Sequence, residues 1–155
     1  MAEKEGKARL RVISDALWPT SCSLLEGAGI RSGMACLDVG CGGGHVTLAM
    51  ARLVGSSGMV TGVDLDRVKL GLAQQDAERE KIAHVNFRPL DVNDLDYGGG
   101  YDLVYARFLL THLKDPLSTL QRMVNAAKPG GVIVVEDLDH ATAFSYPECP
   151  AIAQS

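Results

Sequence analysis

Short apolar runs alternate along this chain with longer segments in which apolar residues recur every three or four positions. Runs of roughly four to eight apolar residues are typical of buried strands, whereas the longer spacing is typical of a helix with one buried face. The segment 46–54 has this helical spacing, and Gly55 predicts its end. Five strands are predicted, at 34–39, 59–63, 84–88, 101–106 and 132–135.

Two further helices are predicted from their capping residues. Asp66 is a favourable N-cap, and we expect a helix from there to about Lys81. Asp115 and Pro116 combine a capping acid with a proline at the first helical position. The glycines that follow Pro129 end this helix before the last strand. Its predicted buried face consists of Leu117, Leu120, Val124 and Ala127.

The alternation of strands with helices predicts the fold class. Strands that are apolar throughout favour a parallel sheet with helices on both faces. Right-handed crossovers and a reversal of direction after the first half of the sheet favour the strand order 3-2-1-4-5. We therefore expect a Rossmann-like α/β sandwich of three layers with a mostly parallel sheet.

Three regions are predicted along the chain. Residues 1–30 are interpreted as an N-terminal helical cap, residues 31–140 as the α/β domain and residues 141–155 as an irregular tail. In the cap we expect one or two short helices broken at Trp18-Pro19, because proline removes a backbone hydrogen bond from a helix. Two prolines in the tail argue against regular structure there.

Composition narrows the possible functions. The chain has 155 residues, of which 46% are hydrophobic, so it can bury one core. Its net charge of −4 argues against a nucleic-acid partner, since phosphate contacts require a basic face. No apolar run is long enough to span a membrane, and we expect a cytoplasmic protein. The four cysteines lack zinc spacing, so no metal site is predicted and reduced thiols are expected.

A glycine-rich turn is the most informative feature for function. Gly40, Gly42 and Gly44 follow the first strand and directly precede a helix. Glycine lets a ligand approach the backbone, and a helix N-terminus presents free N–H groups with a partial positive charge. Asp64 ends the second strand, 24 residues beyond Gly40, where an acid can hold the hydroxyls of a ribose. The pattern predicts a nucleotide-type binding site.

The order and spacing of several motifs resemble the class I S-adenosylmethionine-dependent methyltransferases. The resemblance extends over about 100 residues, from Leu37 to Asp137. It implies that the segment 31–140 binds S-adenosylmethionine and releases S-adenosylhomocysteine. The matching segments are 37–44 (LDVGCGGG), 63–66 (VDLD), 91–92 (DV), 101–104 (YDLV) and the helix and turn between 113 and 131.

The resemblance implies roles for the residues around the nucleoside. Asp64 would accept hydrogen bonds from both ribose hydroxyls, and Leu65 would pack against the adenine. Asp91 would accept a hydrogen bond from the adenine amino group. The backbone N–H of Val92 would meet a nitrogen of the adenine ring.

Other residues would surround the methionine part of the donor. Gly40 and Gly42 would let the backbone approach it, with Cys41 and Gly44 in the same loop. Asp38 would place negative charge near the ammonium group, although it could instead be a strand-end or capping acid. The backbone around Ala106 and Arg107 would close this end. Asp66 is interpreted as a helix cap rather than a ligand.

The hypothesis for function is methyl transfer to a small-molecule acceptor. Catalytic residues are not assigned, and His45 and His112 are interpreted as structural although either could reach a substrate. A nicotinamide-dependent oxidoreductase is disfavoured, because the third glycine of its G-x-G-x-x-G pattern would fall on His45. A module that binds a cofactor or partner without catalysis remains open.

The C-terminal segment is short for this family, whose sheet generally ends in an antiparallel strand pair. Only residues 139–155 follow the last motif, so that pair is expected to be missing. The segment 132–135 would then form an apolar edge of the sheet, and such edges tend to pair with another strand. We expect either self-association through 132–135 or the loss of part of the natural C-terminus.

Overall fold

The computed structural model describes residues 2–138, and within them a five-stranded parallel sheet has the order β3-β2-β1-β4-β5. The predicted fold class and strand order are therefore confirmed. The predicted tail lies outside the described residues. The helices are Ala2–Gly27 (α1), His45–Val54 (α2), Arg67–Arg79 (α3) and Pro116–Ala126 (α4). The strands are Ala35–Val39 (β1), Met59–Asp64 (β2), Val85–Pro89 (β3), Tyr101–Arg107 (β4) and Ala127–Glu136 (β5).

The two faces of the sheet build two apolar clusters, because successive side chains of a strand point to opposite faces. Tyr105 and Cys36 contribute to the cluster under α1 and α2, which also contains the fully buried Leu25. Leu37 and Val104 contribute to the cluster under α4. Helices thus cover both faces of the sheet, as predicted.

The carboxyl ends of the strands meet along one edge of the sheet. Val39 of β1 is in register with Val63 of β2 on one side and with Ala106 of β4 on the other. The parallel register of β4 and β5 then pairs Arg107 with Glu136. The loops that follow β1, β2 and β4 consequently lie side by side, which is where open α/β sheets bind ligands.

Helix α1 runs without interruption through Pro19, so the predicted break at Trp18-Pro19 is wrong. Pro19 has no N–H to donate to the carbonyl of Asp15, four residues earlier in the helix. Both residues are exposed, so water can donate to that carbonyl instead. Contacts on both sides of the proline hold the helix, through Ser14 and Ser21. Between residues 2 and 138, no helix is long and apolar enough to cross a membrane.

The buried face of α4 also differs from the prediction. Leu117 and Val124 are 76% and 48% exposed, whereas Thr119, Met123 and Ala126 are buried. The helix turns Thr119, Met123 and Ala126 toward the sheet, and β5 begins already at Ala127, which the sequence pattern placed in the helix. Helical periodicity alone allows either face when both contain apolar residues.

Candidate functional site at the carboxyl edge of the sheet

The glycine loop after β1 is fastened to the end of β2. The backbone N–H groups of Gly40 and Cys41 both donate to the Val63 carbonyl, at 2.8 and 2.9 Å. Gly40, Gly42 and Gly44 have φ angles of 72°, 53° and 74°, which residues other than glycine rarely adopt. The loop therefore has one backbone path that requires these glycines.

Asp64 at the end of β2 is held by backbone donors on both carboxylate oxygens. Gly42 N–H donates to Oδ2 at 2.8 Å, and Asp66 N–H donates to Oδ1 at 2.9 Å. Each carboxylate oxygen has two acceptor positions, so each retains one for a ligand. The side chain is half-buried and lines the cavity described below.

Gly44 serves a different purpose from the first two glycines. A Cβ atom at this position would lie 2.6 Å from the Ala73 Cβ atom and 2.8 Å from the Phe87 ring. Close approach of the loop to α3 and β3 therefore requires the absence of a side chain. Gly44 is buried behind the loop and does not line the cavity.

Asp38 in β1 is a buried acid at the base of the site, with 3% of its surface exposed. Burial raises its pKa to about 6, against the opposing effects of a hydrogen bond from Thr47 and the positive charge of Arg107. The Thr47 hydroxyl donates to Asp38 Oδ2 at 2.6 Å. Asp38 is thus placed to respond to a positive charge in the cavity.

Side chains connect the ends of β4 and β5 to α1. Arg107 donates to the hydroxyl oxygens of Ser21 and Ser14, at 3.1 and 2.9 Å. The Glu136 carboxylate accepts hydrogen bonds from the hydroxyls of Ser21 and Tyr105, at 2.7 and 2.6 Å. Burial and the bond to Glu136 raise the pKa of Tyr105, so its hydroxyl remains a donor.

These elements enclose a cavity of about 1060 Å³ between the glycine loop, α1 and the end of β4. Its walls unite residues from distant parts of the sequence. Six of the residues predicted for the site line it: Asp38, Gly40, Cys41, Gly42, Asp64 and Arg107. Ser14, Trp18, Tyr105, Phe108, Leu109 and His112 also line it.

The residues predicted to contact adenine lie next to this cavity rather than in its lining. Leu65 is 67% exposed, directly after Asp64. Asp91 follows β3 and accepts hydrogen bonds from the backbone and side chain of Asn93, both at 2.8 Å. Val92 is 7% exposed, and its side chain packs in the cluster under α4. Ala106, which was predicted at the methionine end instead, is fully buried in the same cluster.

Two histidines lie at the cavity. His45 Nε2 is 2.7 Å from Asp15 Oδ1, which joins the start of α2 to α1. His45 Nδ1 is buried without a hydrogen-bond partner in the described part of the chain. His112 is exposed and lines the cavity.

Comparison with known proteins decides the family. A family profile described as "Methyltransferase domain" matches residues 30–154. The chain belongs to this methyltransferase family. The resemblance seen in the motifs between Leu37 and Asp137 is thereby confirmed.

Individual members of the methyltransferase family show how much of their length the chain spans. The ubiquinone biosynthesis O-methyltransferase of Acinetobacter baylyi is 36% identical over 108 residues, which cover 68% of this chain and 44% of that protein. The demethylmenaquinone methyltransferase of Staphylococcus aureus is 33% identical over 122 residues, covering 77% of this chain and 49% of that protein. The chain spans less than half the length of these relatives.

A solved methyltransferase structure supports the fold. The crystal structure of a SAM dependent methyltransferase from Aquifex aeolicus superposes with a TM-score of 0.71 at 24% identity. The match covers 86% of this chain and 71% of that one. The α/β arrangement that positions the glycine loop and Asp64 is therefore shared with that protein.

Sequence reasoning missed the side-chain network on the α1 side of this site. Ser21 and Glu136 are separated by 115 positions, and Arg107 and Ser14 by 93. No local pattern pairs residues at such separations. One available signal is that β4 and β5 each end in an ionisable residue, at Arg107 and Glu136, which the predicted sheet order places side by side.

Proposed function

We propose that this chain binds S-adenosylmethionine at the carboxyl edge of the sheet and transfers its methyl group to a small-molecule acceptor. The observation that carries the proposal is the Asp64 carboxylate. The backbone N–H groups of Gly42, in the glycine loop, and of Asp66 hold it by hydrogen bonds and leave its remaining acceptor positions facing a cavity large enough for a nucleoside. This arrangement suits the two neighbouring hydroxyls of a ribose.

The other residues of the cavity suit the rest of the donor. An added Cβ atom at Gly42 would meet no protein atom within 4 Å, so the space above the loop is free for a ligand. Asp38 would attract the donor's ammonium group, and the end of β4 at Ala106 and Arg107 would close that side. Leu65 follows β2, and Asp91 and Val92 follow the neighbouring strand β3, so the adenine would bind beside the cavity at the ends of these two strands.

Binding and positioning are the tasks left to the protein in this reaction. S-adenosylmethionine supplies, when bound, a methyl group on positively charged sulfur. The protein must align the acceptor with that group and exclude water. Trp18 of α1 and Leu109 after β4 both line the cavity and provide apolar walls for this purpose.

The names of the relatives support a small-molecule acceptor. Both curated relatives are named as methyltransferases, one of ubiquinone biosynthesis and one of demethylmenaquinone. The net charge of −4 also disfavours nucleic acid as the acceptor. We propose that this acceptor binds in the part of the cavity between α1 and the end of β4.

The experiment that tests donor binding is a calorimetric titration with S-adenosylmethionine and S-adenosylhomocysteine, with NAD as the comparison ligand. Asp64→Asn keeps the shape of the side chain but loses its charge, so we expect affinity to fall roughly 10- to 100-fold. Asp94→Asn, at an exposed loop position, is the matched control and should bind normally. Equal affinity in the Asp64 variant, or tighter binding of NAD, would refute the proposal.

Methyl transfer itself needs a separate assay. S-adenosylhomocysteine formation should increase when small phenols and other hydroxyl-bearing molecules are added to the protein with the donor. The Asp64→Asn variant should lose this increase in proportion to its weaker binding. Donor binding without any acceptor-dependent product would favour a binding module that does not catalyse.

We also propose that the chain self-associates through β5. Val132 and Val135 are 36% and 37% exposed on this strand, which is the last of the described sheet. An exposed apolar strand of this kind pairs readily with another chain. Sedimentation should show a dimer that Val135→Lys dissociates, and a stable monomer at high concentration would contradict the idea.

A further inference from the structure

Arg107 is a half-buried cation that faces the cavity and has no ion-pair partner among the described acidic side chains. It donates to two neutral hydroxyls, Ser21 Oγ and Ser14 Oγ. None of the described acidic side chains forms an ion pair with it. A guanidinium group has five N–H donors, so several remain for a ligand.

Two acids on the strands that flank β4 have their own hydrogen-bond donors. Glu136, the register partner of Arg107 on β5, accepts from the Ser21 and Tyr105 hydroxyls. Asp38 on the neighbouring strand β1 accepts from the Thr47 hydroxyl. The Ser21 hydroxyl thus stands between Arg107 and Glu136 and keeps the two charges from pairing directly.

The position of the guanidinium is fixed before any ligand binds. Phe108 has a φ of 53°, a left-handed backbone conformation that residues with a side chain rarely adopt. Its N–H donates to the Glu136 carbonyl at 2.8 Å, which holds this backbone in place. The Phe108 ring then lies 5.5 Å from the Arg107 guanidinium carbon, within cation–π range.

We propose that the Arg107 side chain anchors a carboxylate of the bound ligand. The planar guanidinium fork matches a carboxylate with two parallel hydrogen bonds, and partial burial strengthens the attraction. This inference rests on the proposed function. It assigns the contact to the side chain, whereas the resemblance implied only a backbone role at Arg107. The carboxylate belongs either to the donor's amino-acid group or to the acceptor, and both would use the same chemistry.

The first arm of the test compares two donor analogues by calorimetry. S-adenosylhomocysteine carries the amino-acid group, and 5′-methylthioadenosine lacks it. If the donor supplies the carboxylate, Arg107→Met should weaken S-adenosylhomocysteine at least about tenfold and leave 5′-methylthioadenosine unchanged. Arg107→Lys keeps the charge without the fork and should show an intermediate loss.

The matched control is Arg31→Met. Arg31 is exposed before β1 and does not line the cavity. Its removal also takes one positive charge from the protein, so it reports any general electrostatic effect. We expect both analogues to bind this variant as they bind the wild type.

The second arm tests the acceptor as the source. Protein saturated with S-adenosylhomocysteine is titrated with benzoate and, for comparison, with the neutral benzamide. If the acceptor supplies the carboxylate, the wild type should bind benzoate but not benzamide, and Arg107→Met should lose benzoate binding while it keeps the affinity for S-adenosylhomocysteine.

Two results would overturn the inference. Arg107→Met could bind both analogues and benzoate as the wild type does, or it could lose both analogues equally, which would mean that Arg107 only shapes the cavity. Failure of the proposed function looks different, because the wild type itself would then bind neither analogue. Binding of 5′-methylthioadenosine also shows that the variant is folded.

Discussion

The two sides of the binding edge are built by different means. Beside β1 and β2, backbone atoms make the site: Gly42 N–H holds Asp64, and the Val63 carbonyl holds the loop. Beside β4 and β5, side chains make it, through Arg107, Ser21 and Glu136. The first side depends on local turns, and the second depends on a helix that is distant in sequence.

This difference bears on what each side can recognise. A backbone cradle has one geometry that substitutions of most side chains leave intact, which suits the nucleoside part of a donor common to many enzymes. A side-chain network changes with single substitutions, which suits the part of a ligand that differs between enzymes. Substitutions that perturb one side at a time can therefore separate the two contributions.

The largest effect is expected from Gly44→Val. The new side chain would collide with Ala73 and Phe87, at a backbone φ of 74°. We expect the free energy of unfolding to fall by roughly 3 kcal/mol or more, measured by urea denaturation. Gly43→Ala is the matched control, since a Cβ atom there meets nothing within 4 Å. Similar stability of the two variants would contradict this account of the loop.

Asp38→Asn should separate stability from binding. The folded-state pKa of Asp38 is raised from 3.8 to about 6, so its carboxyl favours folding at low pH, and this contribution is lost as the pH rises through 6. The amide can still accept from Thr47 and carries no buried charge. We expect the variant to gain on the order of 2–3 kcal/mol at pH 7.5 and little at pH 4.

The same variant should bind S-adenosylhomocysteine more weakly at pH 7.5, because the attraction to its ammonium group is gone. Wild-type affinity should decline as the pH falls through about 6, where Asp38 becomes protonated. Denaturation and calorimetry at both pH values test this pair of opposite effects. A variant that is less stable at pH 7.5 than the wild type would show that the Asp38 charge does not destabilise the folded state.

Ser21→Ala tests the side-chain side of the edge. It removes a buried hydroxyl that serves both Glu136 and Arg107, so we expect a loss of about 1–2 kcal/mol in unfolding free energy. Ser23→Ala, an exposed position of the same helix, should be neutral. Affinity for 5′-methylthioadenosine should stay unchanged, because the backbone side is untouched. A weaker affinity for it would mean that the two sides are coupled.

The smallest effect is expected at Asp66, which caps α3 by accepting from the N–H groups of Val68 and Lys69 at 3.0 and 3.1 Å. Asp66→Ala should lower the free energy of unfolding by less than Ser21→Ala does. Asp66→Ser, which restores a capping oxygen, should recover most of that loss. Both variants should bind S-adenosylhomocysteine normally, and a loss of binding in both would make Asp66 a ligand.

The comparison also explains what the sequence could predict. The strand order followed from the right-handedness of the crossovers between parallel strands. The positions of Gly40 and Asp64 followed from local patterns, since each depends on a strand and the turn that ends it. The course of α1 through Pro19 did not, because tertiary contacts to Arg107 and Glu136 outweigh the propensity of proline to end a helix.

The partners of Arg107 were beyond sequence reasoning for the same physical reason. Ser14 and Ser21 come close to it only because α1 packs across the ends of β4 and β5. A serine in a helix gives no sign of a long-range partner, and the side chain of Arg107 was therefore left without a role. The orientation of α4, with Met123 buried, likewise depends on its packing against the sheet, which no local pattern reports.

The measurement that tests the central claim most directly is a crystal structure of the protein with S-adenosylhomocysteine. The account predicts both ribose hydroxyls within about 3.2 Å of the Asp64 carboxylate oxygens, with the sulfur in the cavity beside Gly40. A molecule bound elsewhere, or with its ribose turned away from Asp64, would contradict the assignment of this edge as the donor site.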